Sequence, residues 1–172
     1  MKKNLALLSI IGLLSIASFF NSSAQSFKQG DNLLNLGLGL NSYYTGMPIG
    51  ASYEVGISDV ISVGGMLDYN SSRYASTYGF TAFYLGARGS YHFNELFKIN
   101  NDKIDLYGGL GLGYQSFKWT DGVYSTYSSY GSGIYLNYFI GGKYYFSDRV
   151  AGMLELGSSG LSGARIGVGF KF

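Results

Sequence analysis

The final nine residues of the sequence alternate strictly between two kinds of side chain. One parity carries only apolar residues: Ala164, Ile166, Val168, Phe170 and Phe172. The other parity carries Arg165, Gly167, Gly169 and Lys171. Because successive side chains of a β-strand point to opposite faces, this pattern predicts a strand with one apolar face and one charged or bare face. The segment therefore requires a sheet whose two faces meet very different surroundings.

Seven earlier segments show the same alternation, with turn-forming residues between them. They are 33–41, 49–57, 60–70, 79–93, 104–115, 134–146 and 150–158. Ser58 and Asp59 predict one tight turn, and Ser147 to Arg149 predict another. The chain is therefore expected to form eight strands, with short turns at one end and longer loops at the other. The segment 94–103 is an unusually long connection for the short-turn end.

The N-terminal segment has the pattern of a secretory signal peptide. Lys2 and Lys3 precede a mostly apolar stretch over 5–20, and small residues follow up to Ala24. The apolar stretch holds 16 residues, fewer than the roughly 20 that a spanning helix needs. We therefore expect residues 1–24 to be removed and residues 25–172 to form one domain.

Charged side chains within the eight segments all fall on the polar parity. They are Glu54, Asp68, Arg88, Asp105, Lys143, Glu155, Arg165 and Lys171. The rest of this face is mainly Gly, Ser, Asn and Tyr, which suits the cramped interior of an eight-stranded barrel. Because an unpaired buried charge is strongly unfavourable, four acids and four bases predict a network of ion pairs in the barrel lumen.

Composition limits the remaining possibilities. Past residue 24 no apolar run is long enough to span a membrane as a helix, so a spanning structure must be a barrel. The absence of Cys excludes disulfides and thiolate metal sites. Ten basic and ten acidic residues remain after residue 24, so no basic surplus is present to bind nucleic acid. The predicted fold is an all-β, eight-stranded antiparallel up-and-down transmembrane β-barrel.

Two features that could suggest catalysis or a cofactor have simpler interpretations. The glycines of 109–113 lie inside a predicted strand with no helix after them, so they do not form a phosphate-binding loop. His92 is the only histidine and is expected to face inward as a hydrogen-bonded structural residue. We expect no catalytic residue, no metal and no cofactor.

The three predicted loops that share one end of the barrel are rich in Tyr. They contain Tyr43 and Tyr44, residues 73–78, and residues 119–130. Such rings are typical of the aromatic girdle at a membrane surface, and Tyr with Ser and Gly is also typical of binding surfaces. The candidate loop contacts are Tyr74, Trp119, Tyr124, Tyr127 and Tyr130.

The whole pattern resembles the small eight-stranded outer-membrane β-barrel proteins, including the outer-membrane protein A and X barrels. The residues that carry the resemblance are the turn 56–59 and the closing segment 167–172, and the stretches 86–93 and 107–111 are similar to the Bacteroidota-type version. The resemblance implies a bacterial outer membrane location, contact with outer-membrane lipid, and insertion by the barrel-assembly machinery. In that family the machinery reads the last strand, here Phe170 and the terminal Phe172. It implies no active site.

Three functions remain open at this point. The first is a non-enzymatic barrel with a structural role or a surface-interaction role toward an unknown partner of its loops. The second is a narrow, porin-like channel, and the third, less favoured, is a lipid-modifying enzyme that uses His92. A soluble periplasmic barrel is the rival at the level of the fold.

Overall fold

The computed structural model describes residues 27–74, 78–120 and 131–172. It contains eight strands: β1 (Asn32–Ser42), β2 (Ile49–Gly56), β3 (Ile61–Tyr74), β4 (Tyr78–His92), β5 (Ile104–Trp119), β6 (Gly133–Tyr145), β7 (Val150–Ser159) and β8 (Ser162–Lys171). The predicted signal peptide, residues 1–24, lies outside the described residues. Within the described ranges no helix is long and apolar enough to cross a membrane.

The strands form a closed barrel in which each strand pairs with its neighbours in sequence. All pairings are antiparallel, and β1 closes the barrel against β8 through pairs such as Leu36 with Val168. Beyond the last pair of β8, the backbones of Asn32 and Phe172 exchange two hydrogen bonds. The predicted all-β, eight-stranded antiparallel barrel is confirmed.

The barrel has two distinct ends. The terminal end holds residues 27–31, Phe172 and the connections 57–60, 93–103 and 146–149. The loop end holds the other four connections, among them the three Tyr-rich segments that the sequence places together. An up-and-down order of eight strands requires this separation, because each strand reverses the direction of the one before it.

Two strands extend further toward the loop end than the alternation predicts. β3 continues from Asn70 to Tyr74, and β5 continues from Gln115 to Trp119. These extensions pair with β4, through Arg73 with Gly79 and Lys118 with Thr81. The extensions also place two charged side chains on the outward parity, Arg73 and Lys118, which lie exposed beyond the last apolar rows and outside the segments that the alternation defines.

The outer surface of the barrel is apolar over most of its height. The exposed fraction reaches 61% at Leu110, 64% at Leu136 and 64% at Ile140. Aromatic side chains lie exposed near both ends, including Tyr69 and Tyr114 toward the loop end and Tyr144 and Phe146 at the terminal end. The polar parity of each strand faces inward, so the barrel has an apolar exterior and a polar interior.

Candidate functional site

The interior of the barrel holds all eight charged residues of the predicted lumen network, and each is buried. The centre of the network is Arg88 on β4, which reaches two other strands. Its Nε lies 3.0 Å from Oε1 of Glu54 on β2, and its Nη2 lies 2.7 Å from Oε1 of Glu155 on β7. Because these ion pairs cross the lumen, they tie together strands that do not pair with each other.

Neutral side chains complete the hydrogen bonding of the two carboxylates. Ser90 and Ser62 donate to Oε2 of Glu54 at 2.6 and 2.9 Å. Tyr107 donates to Oε1 of Glu155 at 3.1 Å. The guanidinium of Arg88 also lies over the ring of Phe139, 3.9 Å from its centroid. Such additional contacts offset part of the desolvation cost of a buried ion pair.

A second ion pair lies nearer the loop end, where Arg165 on β8 binds Asp68 on β3 through Nη2 and Oδ1. The backbone amide of Leu161 donates to the other oxygen of Asp68 at 2.9 Å. The turn before Leu161 needs a left-handed residue, and Gly160 supplies it at φ 64°. The β7–β8 turn thus folds inward far enough to bind the carboxylate.

A row of glycines provides the space for the Arg165 side chain. Gly37 pairs with Gly50 on one side and with Gly167 on the other. A Cβ at Gly37 would lie 2.9 Å from Cγ of Arg165, and one at Gly50 would lie 2.9 Å from its Nη2. Both distances are below normal contact, so the long side chain fits against the wall only because these positions lack side chains.

His92 is a polar side chain of the interior near the terminal end, and it is 3% exposed. Its Nδ1 lies 2.8 Å from Oδ1 of Asp105, and its Nε2 lies 3.1 Å from Oγ of Ser62. Phe27 covers the imidazole in a parallel stack, with the ring centroids 3.5 Å apart. His92 therefore faces inward as the sequence predicts, but it binds Asp105 within the charge network.

The two lysines of the network have partners that the sequence analysis did not assign. Nζ of Lys171 lies 3.9 Å from Oδ2 of Asp31 and 4.9 Å from the ring centroid of Tyr145. Nζ of Lys143 lies 5.0 Å from the ring centroid of Tyr107. Asp31 precedes β1 and belongs to no alternating segment, so the parity of the strands could not indicate it.

The arrangement Ser62–His92–Asp105 has the order of contacts of a nucleophile, a base and an orienting acid. Two observations speak against catalysis. Ser62 is 0% exposed, so no substrate reaches its hydroxyl. That hydroxyl donates to Glu54 and is therefore not poised to give its proton to the imidazole. The described residues also contain no group of three or more His, Asp or Glu placed to hold a metal ion.

An aromatic cluster occupies the inside of the loop end. Tyr44, Phe80, Phe117 and Trp119 pack in successive contacts, with Tyr44 and Phe117 stacked at 4.9 Å and Trp119 edge-on to Phe117 at 5.1 Å. Gln115 donates to the hydroxyl of Tyr44 at 2.6 Å. Burial is the main cause that raises the pKa of this phenol above its ordinary value.

The predicted loop contacts and the predicted assembly signal are residues outside the charge network. Trp119 ends β5 and packs in the aromatic cluster, and Tyr74 ends β3, paired with Tyr78. Tyr124, Tyr127 and Tyr130 lie outside the described residues. Phe170 is half-buried in β8 and pairs with Leu34 and Val150, whereas Phe172 is 66% exposed.

The closed eight-stranded barrel is similar in fold to several solved proteins. The outer membrane protein OprG from Pseudomonas aeruginosa superposes with a TM-score of 0.60 at 14% identity, over 87% of this chain and 99% of that one. The N-terminal barrel domain of Pseudomonas aeruginosa OprF gives 0.53 at 20% identity, over 84% and 99%. A de novo designed transmembrane β-barrel gives 0.54 at 16% identity, over 86% and 100%.

At these identities the similarity establishes the fold. No protein-family model and no curated protein sequence matches the chain.

Proposed function

We propose that this chain is an integral outer-membrane β-barrel protein without catalytic activity, which acts in envelope structure or in surface interaction through its Tyr-rich loops. The observation that carries the proposal is the inversion of polarity across the barrel wall. Charged side chains such as Arg88 and Glu155 are fully buried, while leucines such as Leu110 and Leu136 are more than half exposed. A lipid environment satisfies this arrangement, and water does not.

The similarity of fold to outer-membrane barrels supports the same location. In this location the terminal end faces the periplasm and the loop end faces the outside of the cell. Residues 1–24 act as the export signal, and the barrel-assembly machinery inserts the chain. The assignment to Bacteroidota-type bacteria rests on the sequence resemblance alone.

The packing of the lumen favours a structural role over a channel. Arg88 connects β4 to β2 and β7, and Arg165 connects β8 to β3, so side chains bridge the interior at two heights. The aromatic cluster fills the loop end above them. An eight-stranded barrel has an interior just wide enough for its own side chains. We therefore expect little ion conductance from the reconstituted mature protein.

The non-enzymatic assignment rests on His92. As the only histidine, it is the one candidate for a histidine-dependent lipid-modifying reaction. Its ring is covered by Phe27 and bound to Asp105 at the terminal end. Outer-leaflet lipid does not reach this position. Replacing His92 with Ala should therefore leave the acylation state of membrane lipids unchanged.

Outer-membrane fractionation followed by protease treatment of intact cells tests the location and the loop exposure together. We expect the protein in the outer-membrane fraction and cleavage within residues 119–130, with the barrel retained in the membrane. Detergent-solubilised protein should change its gel mobility on heating. A protein that remains in the periplasmic fraction and does not partition into detergent would disprove the membrane assignment.

Planar bilayer recording of the same material distinguishes the structural role from the channel. Large, stable single-channel steps would show that the protein is a channel and would contradict the structural role.

A further inference from the structure

The buried charges do not balance unless His92 is counted. Among the residues that the structure describes, the buried carboxylates are Asp31, Glu54, Asp68, Asp105 and Glu155. The buried side chains that carry a permanent positive charge are Arg88, Lys143, Arg165 and Lys171. Five acids therefore face four bases, because Asp31 adds a charge that the strand pattern does not contain. One further positive charge is required for neutrality in a medium where an uncompensated charge is costly.

The hydrogen bonds at His92 independently require the same charge. Ser62 has one hydroxyl proton, and Glu54, ion-paired with Arg88, is an acceptor that takes it at 2.9 Å. The Ser62 oxygen can then only accept, so Nε2 of His92 must donate across 3.1 Å. The carboxylate of Asp105 also accepts, so Nδ1 donates across 2.8 Å. Both ring nitrogens therefore carry a proton.

An alternative places the second proton on Asp105 and leaves the ring neutral. A positive charge on the ring offsets the excess of buried carboxylates. A neutral pair instead leaves Glu54, Asp68, Glu155 and Asp31 facing four bases, with no charge at His92 to strengthen its stack on Phe27, so the shared proton is placed on the ring.

We infer that His92 is held as an imidazolium, and that this cation fastens residues 27–31 across the terminal end of the barrel as a pH-dependent latch. The contact that transmits the charge is the stack of Phe27 on the imidazole, with an angle of 8° between the rings. A cation over an aromatic face is attracted by the ring quadrupole. This inference depends on the barrel interior and is independent of the proposed location and role.

The rest of the latch is held by the ion pair of Asp31 with Lys171 and by polar contacts to the β2–β3 turn. The amide of Gln29 donates to Oδ1 of Asp59 at 3.0 Å, and the amide of Gly30 donates to the carbonyl of Gly56 at 2.9 Å. A Cβ at Gly56 would lie 3.0 Å from the ring of Phe27, so this glycine makes room for the latch. Phe27 stacks directly on the histidine.

Solvent has a route to the imidazole beside the latch. A cavity of about 660 Å³ opens at the terminal end and is lined by Phe27, Lys28, Asp59, His92, Glu95 and Lys98, among others. The other titratable groups around the ring are Glu54, Arg88, Asp105, Tyr107 and, over Tyr107, Lys143. Loss of one ring proton removes a donor to Asp105 or Ser62 and leaves the interior with an excess negative charge. It also removes the cation–π part of the attraction for Phe27.

Fluorescence of an indole placed on the latch measures its release. The variant carries Phe27→Trp together with Trp119→Phe, so that the new indole is the only one. We expect its emission to be quenched by the imidazolium and to lose this quenching when the ring loses a proton as the pH is raised. The matched control adds His92→Gln, which keeps a polar side chain but cannot be charged, and its emission should not change over the same range.

Nitrogen-15 NMR of the unmodified barrel in detergent tests the charge directly. Both ring nitrogens of His92 should show the shifts of protonated nitrogens at about pH 7.5, where a free imidazole is mostly neutral. One protonated and one unprotonated nitrogen at that pH would refute the cation. A flat emission curve in the Phe27→Trp variant, with the cation present by NMR, would refute the latch.

Discussion

At the scale of the residue, the most connected side chain is Arg88, which is buried and bonded to carboxylates on two non-adjacent strands. The contribution of Arg88 to the stability of the barrel is measured by replacing it. The loss of one partner of a buried ion pair leaves the other charge without compensation, and this costs more than the pair itself contributes. Glu54 and Glu155 would then remain as two uncompensated carboxylates in the same part of the lumen.

We therefore expect Arg88→Met to lower the free energy of unfolding by about 3–5 kcal/mol. The measurement is equilibrium unfolding of the refolded barrel in urea. The folded fraction at each urea concentration is read from the heat-modifiable gel mobility. Arg73→Met is the matched control, because Arg73 lies exposed at the rim and such substitutions usually change stability by less than about 0.5 kcal/mol. Equal effects of the two substitutions would contradict the role of the buried pair.

The glycine row gives a second prediction at this scale. In Gly50→Ala the new methyl group would meet Asp68 and Arg165, so we expect a loss of about 1–3 kcal/mol from overpacking. Gly65→Ala is the control, because a Cβ there comes no closer than 3.4 Å to its nearest neighbour. Thermal unfolding of both variants in the same detergent compares them. A similar midpoint for both would show that the Arg165 side chain can move aside at little cost.

At the scale of the element, the alternation predicted the two faces of each strand but not the ends of β3 and β5. The apolar parity stops at Tyr69 and Tyr114, since serine and charged residues follow. Hydrogen bonding continues because β4 provides partners for both extensions, such as Gly79 and Thr81. Strand length therefore depends on the neighbouring strand, whereas the polarity pattern marks only the part that meets an apolar medium.

This difference predicts how depth along the outer face of β4 and β5 affects an added charge. Leu110→Arg places a charge midway along the outer face, and we expect a loss of about 2–4 kcal/mol in lipid vesicles. Thr81→Arg places the same charge beside Lys118, near the rim, where the expected loss is at most about 1 kcal/mol. Folding equilibria of both variants in vesicles measure the difference. Equal losses, or none, would argue against a bilayer around the barrel.

At the scale of the whole molecule, the fold follows from the sequence and the interior network follows only in part. Period-two alternation defines which side chains enter the lumen, so the burial of Glu54 or Arg165 could be anticipated. It does not define which charges meet, since Arg88 contacts β2 and β7 only after the barrel closes at a particular register. Phe27 and Asp31 precede the first strand, where no periodicity indicates that they return to the interior.

Assembly provides the last prediction. Deletion of Phe172 should lower the yield of inserted barrel more than it lowers the stability of barrels already inserted, because the assembly machinery is expected to read this residue. The yield is measured with purified assembly machinery in vesicles, and stability by unfolding in urea. Phe146→Ala is the control, since Phe146 is also an exposed aromatic at the terminal end. An unchanged yield after the deletion would refute the proposed signal.

The pairing of β1 with β8 has a consequence for the order of folding. Every other strand pairing joins neighbours in the chain and can form as a hairpin, whereas this one joins the two most distant strands. The cost of loop closure is therefore concentrated in a single step. Until that step occurs, both edge strands present unpaired backbone groups that can join another chain. The lifetime of the open sheet, more than the stability of the finished barrel, should then determine whether a nascent chain matures or aggregates.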